Sequence, residues 1–133
     1  MSVAVAHQVS STSRIALAEA AREASMRQTD LAVLHVVESL DLDIAAANRS
    51  GISDEVERVL NETGLDVSWE LHLATGEENV ADAILTLVQD VDAEVLVIGA
   101  RRRSPVGKFL LGSVTQTLIL QAPLPVLVVK DRG

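Results

Sequence analysis

Five short apolar runs punctuate the chain: VAVA at 3–6, LAVLHVV at 31–37, VSWELHL at 67–73, VLVIG at 95–99 and VLVVK at 126–130. Four of them are nearly continuous in Val, Leu, Ile and Ala, the pattern of parallel strands covered on both faces. The third alternates: Val67, Trp69, Leu71 and Leu73 are separated by Ser68, Glu70 and His72, which predicts an edge strand with one wet face. Between the runs the apolar period lengthens to that of helices. Residues 12–27 carry Ile15, Ala16, Ala20 and Ala24 at helical spacing behind candidate caps from Ser10 to Ser13. Residues 53–62 open on Ser53-Asp54 and place Val56, Val59 and Leu60 together. Residues 77–89 do the same with Val80, Ala83, Ile84, Leu87 and Val88. A last helix is predicted over 113–121, closed by Ala122-Pro123. The stretch from Glu38 to Gly51 reads as a loop or a poorly formed helix.

Strands alternating with helices predict a parallel, doubly wound sheet with helices on both faces. Ligands in such sheets bind beyond the carboxyl ends of the strands, where the strand order reverses. If strands one and four flank that point, residues 7–10 and 99–113 converge on it.

Composition narrows the chemistry. The chain has 133 residues and no internal repeat, which predicts one domain over 1–133. It has no cysteine, so thiol catalysis and Cys-ligated zinc are excluded. No basic leader precedes an apolar segment and no run approaches the roughly 18 residues of a membrane span, so a cytoplasmic protein without a membrane partner is expected. A net charge of −8 disfavours nucleic acid, and with only Trp69 and Phe109 aromatic there is no stacking platform for single strands.

Against that acidity, Arg101, Arg102, Arg103 and Lys108 fall within eight positions, four of the eleven basic residues. They lie between Gly99, at the end of a strand, and Gly112-Ser113, at the start of a helix, where bare backbone N–H groups and the helix dipole attract an anion. A solvated basic loop is the competing explanation. Neither G-x-x-x-x-G-K-[ST] nor G-x-G-x-x-G occurs. No G-x-S-x-G elbow is present, and the serines occupy cap and loop positions, so no catalytic residue is named. Of the histidines, His35 reads as a core residue, His72 lies on the outer face of the edge strand, and His7 stands at the ligand end of the sheet. The Glu38, Asp41 and Asp43 carboxylates match no calcium loop, and no metal site is expected.

The stretch VLVIGARRRSPVGKFLLGSVTQTLILQAPLPVLVVK resembles the C-terminal half of the universal stress protein family. Ser10, Ser13, Ala16 and Leu17 at the first helix, LHVVE in the second strand, and TGE before the third helix agree. The resemblance implies a single-domain, five-stranded α/β fold of the adenine nucleotide α-hydrolase-like kind, strand order 3-2-1-4-5, as a homodimer through the last strand, Val126–Val129. It further implies ATP or AMP binding, with Mg²⁺ as an open companion, through the family pattern G-x2-G-x9-G-[ST]. Gly99, Gly112 and Ser113 match that pattern, but its middle glycine is Arg102. The family's aspartate after the first strand is replaced by Gln8. Carried onto this chain, Gly99, Arg101, Arg102, Arg103, Gly112, Ser113 and Thr115 would hold phosphates, with Gln8 and Val36 near ribose and adenine. The alternative is a nucleotide-free member acting through dimerisation and protein contacts. An ATP hydrolase is the third reading, lacking a general base or metal ligand to name.

Overall fold

The computed structural model describes residues 1–7, 11–37, 42–75, 79–100 and 112–130. The elements follow in the order β1 (Ser2–Ala6), α1 (Ser11–Arg27), β2 (Asp30–Val37), α2 (Leu42–Thr63), β3 (Trp69–Thr75), α3 (Val80–Asp90), β4 (Ala93–Ala100), α4 (Ser113–Gln121) and β5 (Val126–Lys130). The strands form one parallel sheet in the order β3-β2-β1-β4-β5, as expected. The order reverses between β1 and β4, the crevice position of doubly wound sheets.

Successive side chains of a strand point to opposite faces, so each central strand feeds two cores. Val3, Val5, Val33, Val95 and Val97 pack under α1 and α2. Ala4, Leu34, Leu96 and Ile98 pack under α3 and α4. This is why β1, β2 and β4 read as continuous apolar runs. Helix α1 buries mainly alanine: Ala16, Ala20, Ala21 and Ala24 join Leu17 at 0–1% exposure, which lets its backbone lie close to the sheet. The edge strand β3 runs two residues later than its alternation predicts, with Leu31 paired to Trp69 and only Glu70 fully exposed.

Helix α2 is the main departure. It begins at Leu42 rather than near Ser53, so the apparent Ser53-Asp54 cap lies inside a 22-residue helix. Ala45, Ala46 and Ala47 are strong helix formers, and buried Ile52 extends the stripe of Val56, Val59 and Leu60 backwards. Gly51 is carried within the helix because that packing outweighs its weak propensity. The helix ends where Gly64 adopts φ +69° and its N–H bonds the Leu60 carbonyl at 3.0 Å, a left-handed stop natural to glycine. Helix α3 starts three residues later than its pattern predicts, on Asn79, whose side chain accepts from the Asp82 N–H at 3.1 Å. Among the described residues no helix is long and apolar enough to cross a membrane.

Candidate functional site

Parallel strands joined by right-handed crossovers force each helix to run back antiparallel to the sheet. Helix α4, between β4 and β5, therefore begins at the carboxyl ends of the strands. Its N-cap is Gly112, with φ −66° and ψ 164° and no side-chain cap bond; the carbonyl of Gly112 accepts from the Gln116 N–H at 3.0 Å. A Cβ placed on Gly112 would meet nothing within 4 Å, and its φ is one that any residue adopts. Among the described residues, neither backbone conformation nor packing requires glycine there. Ser113 is exposed beside it, whereas Thr115 is buried at 8% exposure, facing the core.

The strand register assembles the rest of the rim. Ala6 pairs with Leu34 and Val5 with Val97, so the ends of three neighbouring strands carry His7, then His35 and Val36, then Gly99. Gly99 is half-buried and pairs with Val129; the Val36 side chain packs toward α3. The structure thus brings Val36, Gly99, Gly112 and Ser113 to one end of the sheet. Gln8, Arg101, Arg102 and Arg103 lie outside the described residues.

Sequence reasoning missed a polar chain behind this rim. His7, whose side chain is 1% exposed, places Nε2 3.2 Å from Glu55 Oε2 and Nδ1 3.2 Å from Nδ1 of His35. Glu55 Oε1 accepts from the Ser13 hydroxyl at 2.8 Å. His35 Nδ1 also lies 3.2 Å from the carbonyl oxygen of His7, and the two rings meet edge to face at 5.2 Å. A carbonyl only accepts, so His35 Nδ1 carries a hydrogen. The His7 Nδ1 facing it is then the acceptor, and His7 Nε2 donates to the carboxylate. Four elements are tied together: β1 by His7, β2 by His35, α1 by Ser13 and α2 by Glu55. Burial holds the His35 imidazole below its ordinary ionisation range; the bond to the His7 carbonyl opposes this, and a positive charge on His7 would add to it. The expectation of a satisfied core histidine fits one nitrogen of His35 only. The one signal available was that His7 and His35 stand at equivalent ends of two strands; nothing marked Glu55 among the acidic residues of α2.

At the opposite, amino ends of the strands lies a cavity of about 420 Å³. Asp30, Glu70 and Asp90 line it, His72 pairs with Glu70 at 3.5 Å, and α3 ends beside it. Three carboxylates and a helix C-terminus make that end unfavourable for a phosphate. Among the described residues no group of His, Asp or Glu is arranged to hold a metal ion.

Comparison with known proteins agrees with this geometry. The family model described as the Universal stress protein family matches residues 1–130. A "Universal stress protein" of Mycolicibacterium smegmatis (strain ATCC 700084 / mc(2)155) is 38% identical over 131 residues, 98% of each chain. Among solved structures, a universal stress protein from Archaeoglobus fulgidus superposes with a TM-score of 0.78 at 31% identity over 98% of both chains. A structure of the universal stress protein from that organism in complex with dAMP gives 0.73 at 27% identity, again over 98% of both.

Proposed function

The chain belongs to the universal stress protein family, and from this premise we propose that it binds an adenine nucleotide, ATP or AMP, at the carboxyl ends of β1 and β4. The observation that carries the reading is Gly112: an N-cap left bare with no conformational or steric need for it among the described residues, at the start of a helix whose dipole favours an anion. The A. fulgidus relative in complex with dAMP supports the ligand class. In this reading the N-terminal N–H groups of α4 and the Ser113 hydroxyl receive the phosphates. Arg101, Arg102 and Arg103 supply charge, and Gly99 leaves space at the strand end. The nucleoside lies toward Gln8 and the Val36 backbone. Thr115, being buried, supports the first turn of α4 rather than touching the ligand. No magnesium ligand is assigned.

Gly112→Asp separates this reading from a structural one. Aspartate is among the best N-caps and its charge suits the dipole, so the folded state gains up to about 1 kcal/mol. The same carboxylate would repel a phosphate. Wild-type protein freed of carried-over nucleotide should be stabilised by millimolar ATP or AMP in thermal melts, by mass action on the native state. Gly112→Asp protein should melt higher alone and lose the nucleotide-dependent shift. Equal shifts in the two proteins, or none in the wild type, would refute the reading.

The same proposal extends to a homodimer through β5. That strand is an edge of the sheet, and its Leu127 is exposed, as are Ile119 and Leu120 of α4. An apolar edge of this kind suits pairing with its own copy.

A further inference from the structure

His35 has one ring nitrogen committed and one open. Nδ1 is held by the His7 carbonyl and faces the His7 ring, while Nε2 meets no hydrogen-bond partner among the described residues although the ring is half-buried. Because Nδ1 must carry the hydrogen, the neutral ring presents a lone pair at Nε2. The chain behind it enforces that choice: Ser13 and His7 both donate to Glu55, and His7 Nδ1 is left to accept. An acceptor of fixed tautomer therefore stands at the end of β2, next to Val36. It is two strands away from Gly99 and hence about 10 Å from the phosphate end at the usual interstrand spacing.

We propose that His35 Nε2 contacts the nucleoside part of the ligand, accepting a hydrogen bond from a hydroxyl or amino group, with Ser13, Glu55 and His7 as its positioning residues. This rests on the nucleotide reading above and adds to it a named acceptor. The consequence is a proton linkage. A proton and a donating ligand group compete for the same lone pair, so acidification weakens binding. Within the cluster each Glu55 oxygen already accepts a hydrogen and His7 Nδ1 faces an N–H, which leaves His35 Nε2 as the ring nitrogen without a partner among the described residues. Among the described residues, the titratable groups facing His35 are His7 after β1 and, through it, Glu55 from α2; α1 contributes the Ser13 hydroxyl, and the register partner on β3 is apolar Leu73.

The test is the AMP dissociation constant by calorimetry between pH 8 and pH 5 for wild type and His35→Gln, the substitution correcting for titration of the phosphate itself. The wild type should hold a constant affinity at the alkaline end. On acidification its affinity should fall more steeply than that of His35→Gln, the difference approaching about tenfold per pH unit once His35 is protonated. The His35 ring-proton resonance in the wild type, followed by NMR, gives an independent reading: saturating AMP should lower its titration midpoint. Glu55→Gln should also lower the midpoint in the free protein, since a nearby negative charge is removed; a merely structural Glu55 would leave it in place. AMP binding with parallel pH slopes in wild type and His35→Gln, or an affinity that rises on acidification, overturns the inference and leaves the nucleotide reading standing. Absence of AMP binding at every pH removes both.

Discussion

Glu55 ties α2 to His7 and to Ser13 of α1, so its loss should be costly for a carboxylate that is only partly buried. Truncation by Glu55→Ala removes the acceptor of two hydrogen bonds, from His7 Nε2 at 3.2 Å and from the Ser13 hydroxyl at 2.8 Å. The two partners respond differently. Ser13 lies in the first turn of α1 and its hydroxyl can rotate to another acceptor. The His7 side chain is 1% exposed, so its N–H is left without water or partner. An orphaned buried donor costs about 1–3 kcal/mol, and a lost hydrogen bond to a charged acceptor about 1.5–3. The Glu55 side chain is 24% exposed, so solvent already screens part of its charge and the upper ends of both ranges do not apply. The expected loss is about 2–3 kcal/mol, a drop in melting temperature of about 7–11 °C for a chain of this length.

Glu57→Ala is the internal control, two positions further along α2. Glu57 is exposed and accepts from the Trp69 indole N–H at 3.3 Å, so its removal should cost within about 0.5 kcal/mol. Both substitutions are measured by urea unfolding at pH 7.5 with a common slope. Glu55→Gln, which keeps one oxygen, should fall between them. Glu55→Ala no more destabilising than Glu57→Ala would show that the His7–Glu55 contact contributes nothing to stability, and the assignment of hydrogens along the chain would lose its support.

Other outcomes follow from the same packing. Ala20→Leu inserts a large side chain where α1 lies against the sheet at 0% exposure, and should destabilise by about 1–3 kcal/mol in the same urea assay, against a negligible effect for the exposed Met26→Leu. Because burial keeps the folded-state pKa of His35 below that of the unfolded chain, the unfolded chain takes up the proton first. The stability associated with neutral His35 is therefore complete above pH 6.5 and declines as pH falls below it, and His35→Gln should flatten that part of the profile. Leu127→Glu places a charge on the exposed face of β5 and should convert a dimer to monomer in light scattering; an unchanged mass would exclude β5 as the dimer edge.

The fold was legible because its signal is carried by burial. Strands covered on both faces must be apolar throughout, and β1, β2 and β4 were read within a residue or two; β5 was found by the same pattern, but it is an edge strand in which no residue is fully buried and Leu127 is exposed. The edge position of β3 was legible from its single wet face. What failed was boundary chemistry. Ser53-Asp54 has the composition of a cap but lies within α2, because tertiary packing of Ile52 and the alanines upstream outweighs a local preference. At the candidate site, Gly99 and Gly112-Ser113 stood out as glycines at a strand end and a helix start, and their spacing carried meaning only through the resemblance to the family pattern. The Ser13–Glu55–His7–His35 chain left no such trace. Its members are 6, 22 and 20 positions apart in sequence order, and their contact depends on how α1 and α2 lie over the strand ends.

That distribution of charge and polarity has a common cause in the sheet's direction. With all strands parallel and each helix antiparallel to them, helix N-termini gather at the carboxyl ends and C-termini at the amino ends. The chain has put its bare N-cap and its histidine pair at the first end. Asp30, Glu70 and Asp90 surround the cavity at the second, where α3 ends. An anion approaching a molecule of net charge −8 meets repulsion on average, so a phosphate is held only where local dipoles and bare N–H groups outweigh the total. In the proposed reading the carboxyl ends of β1 and β4 meet that condition, and the acidic cavity at the other end does not. The direction of the helices, which sets the sign of the local dipole, distinguishes the two ends of the sheet.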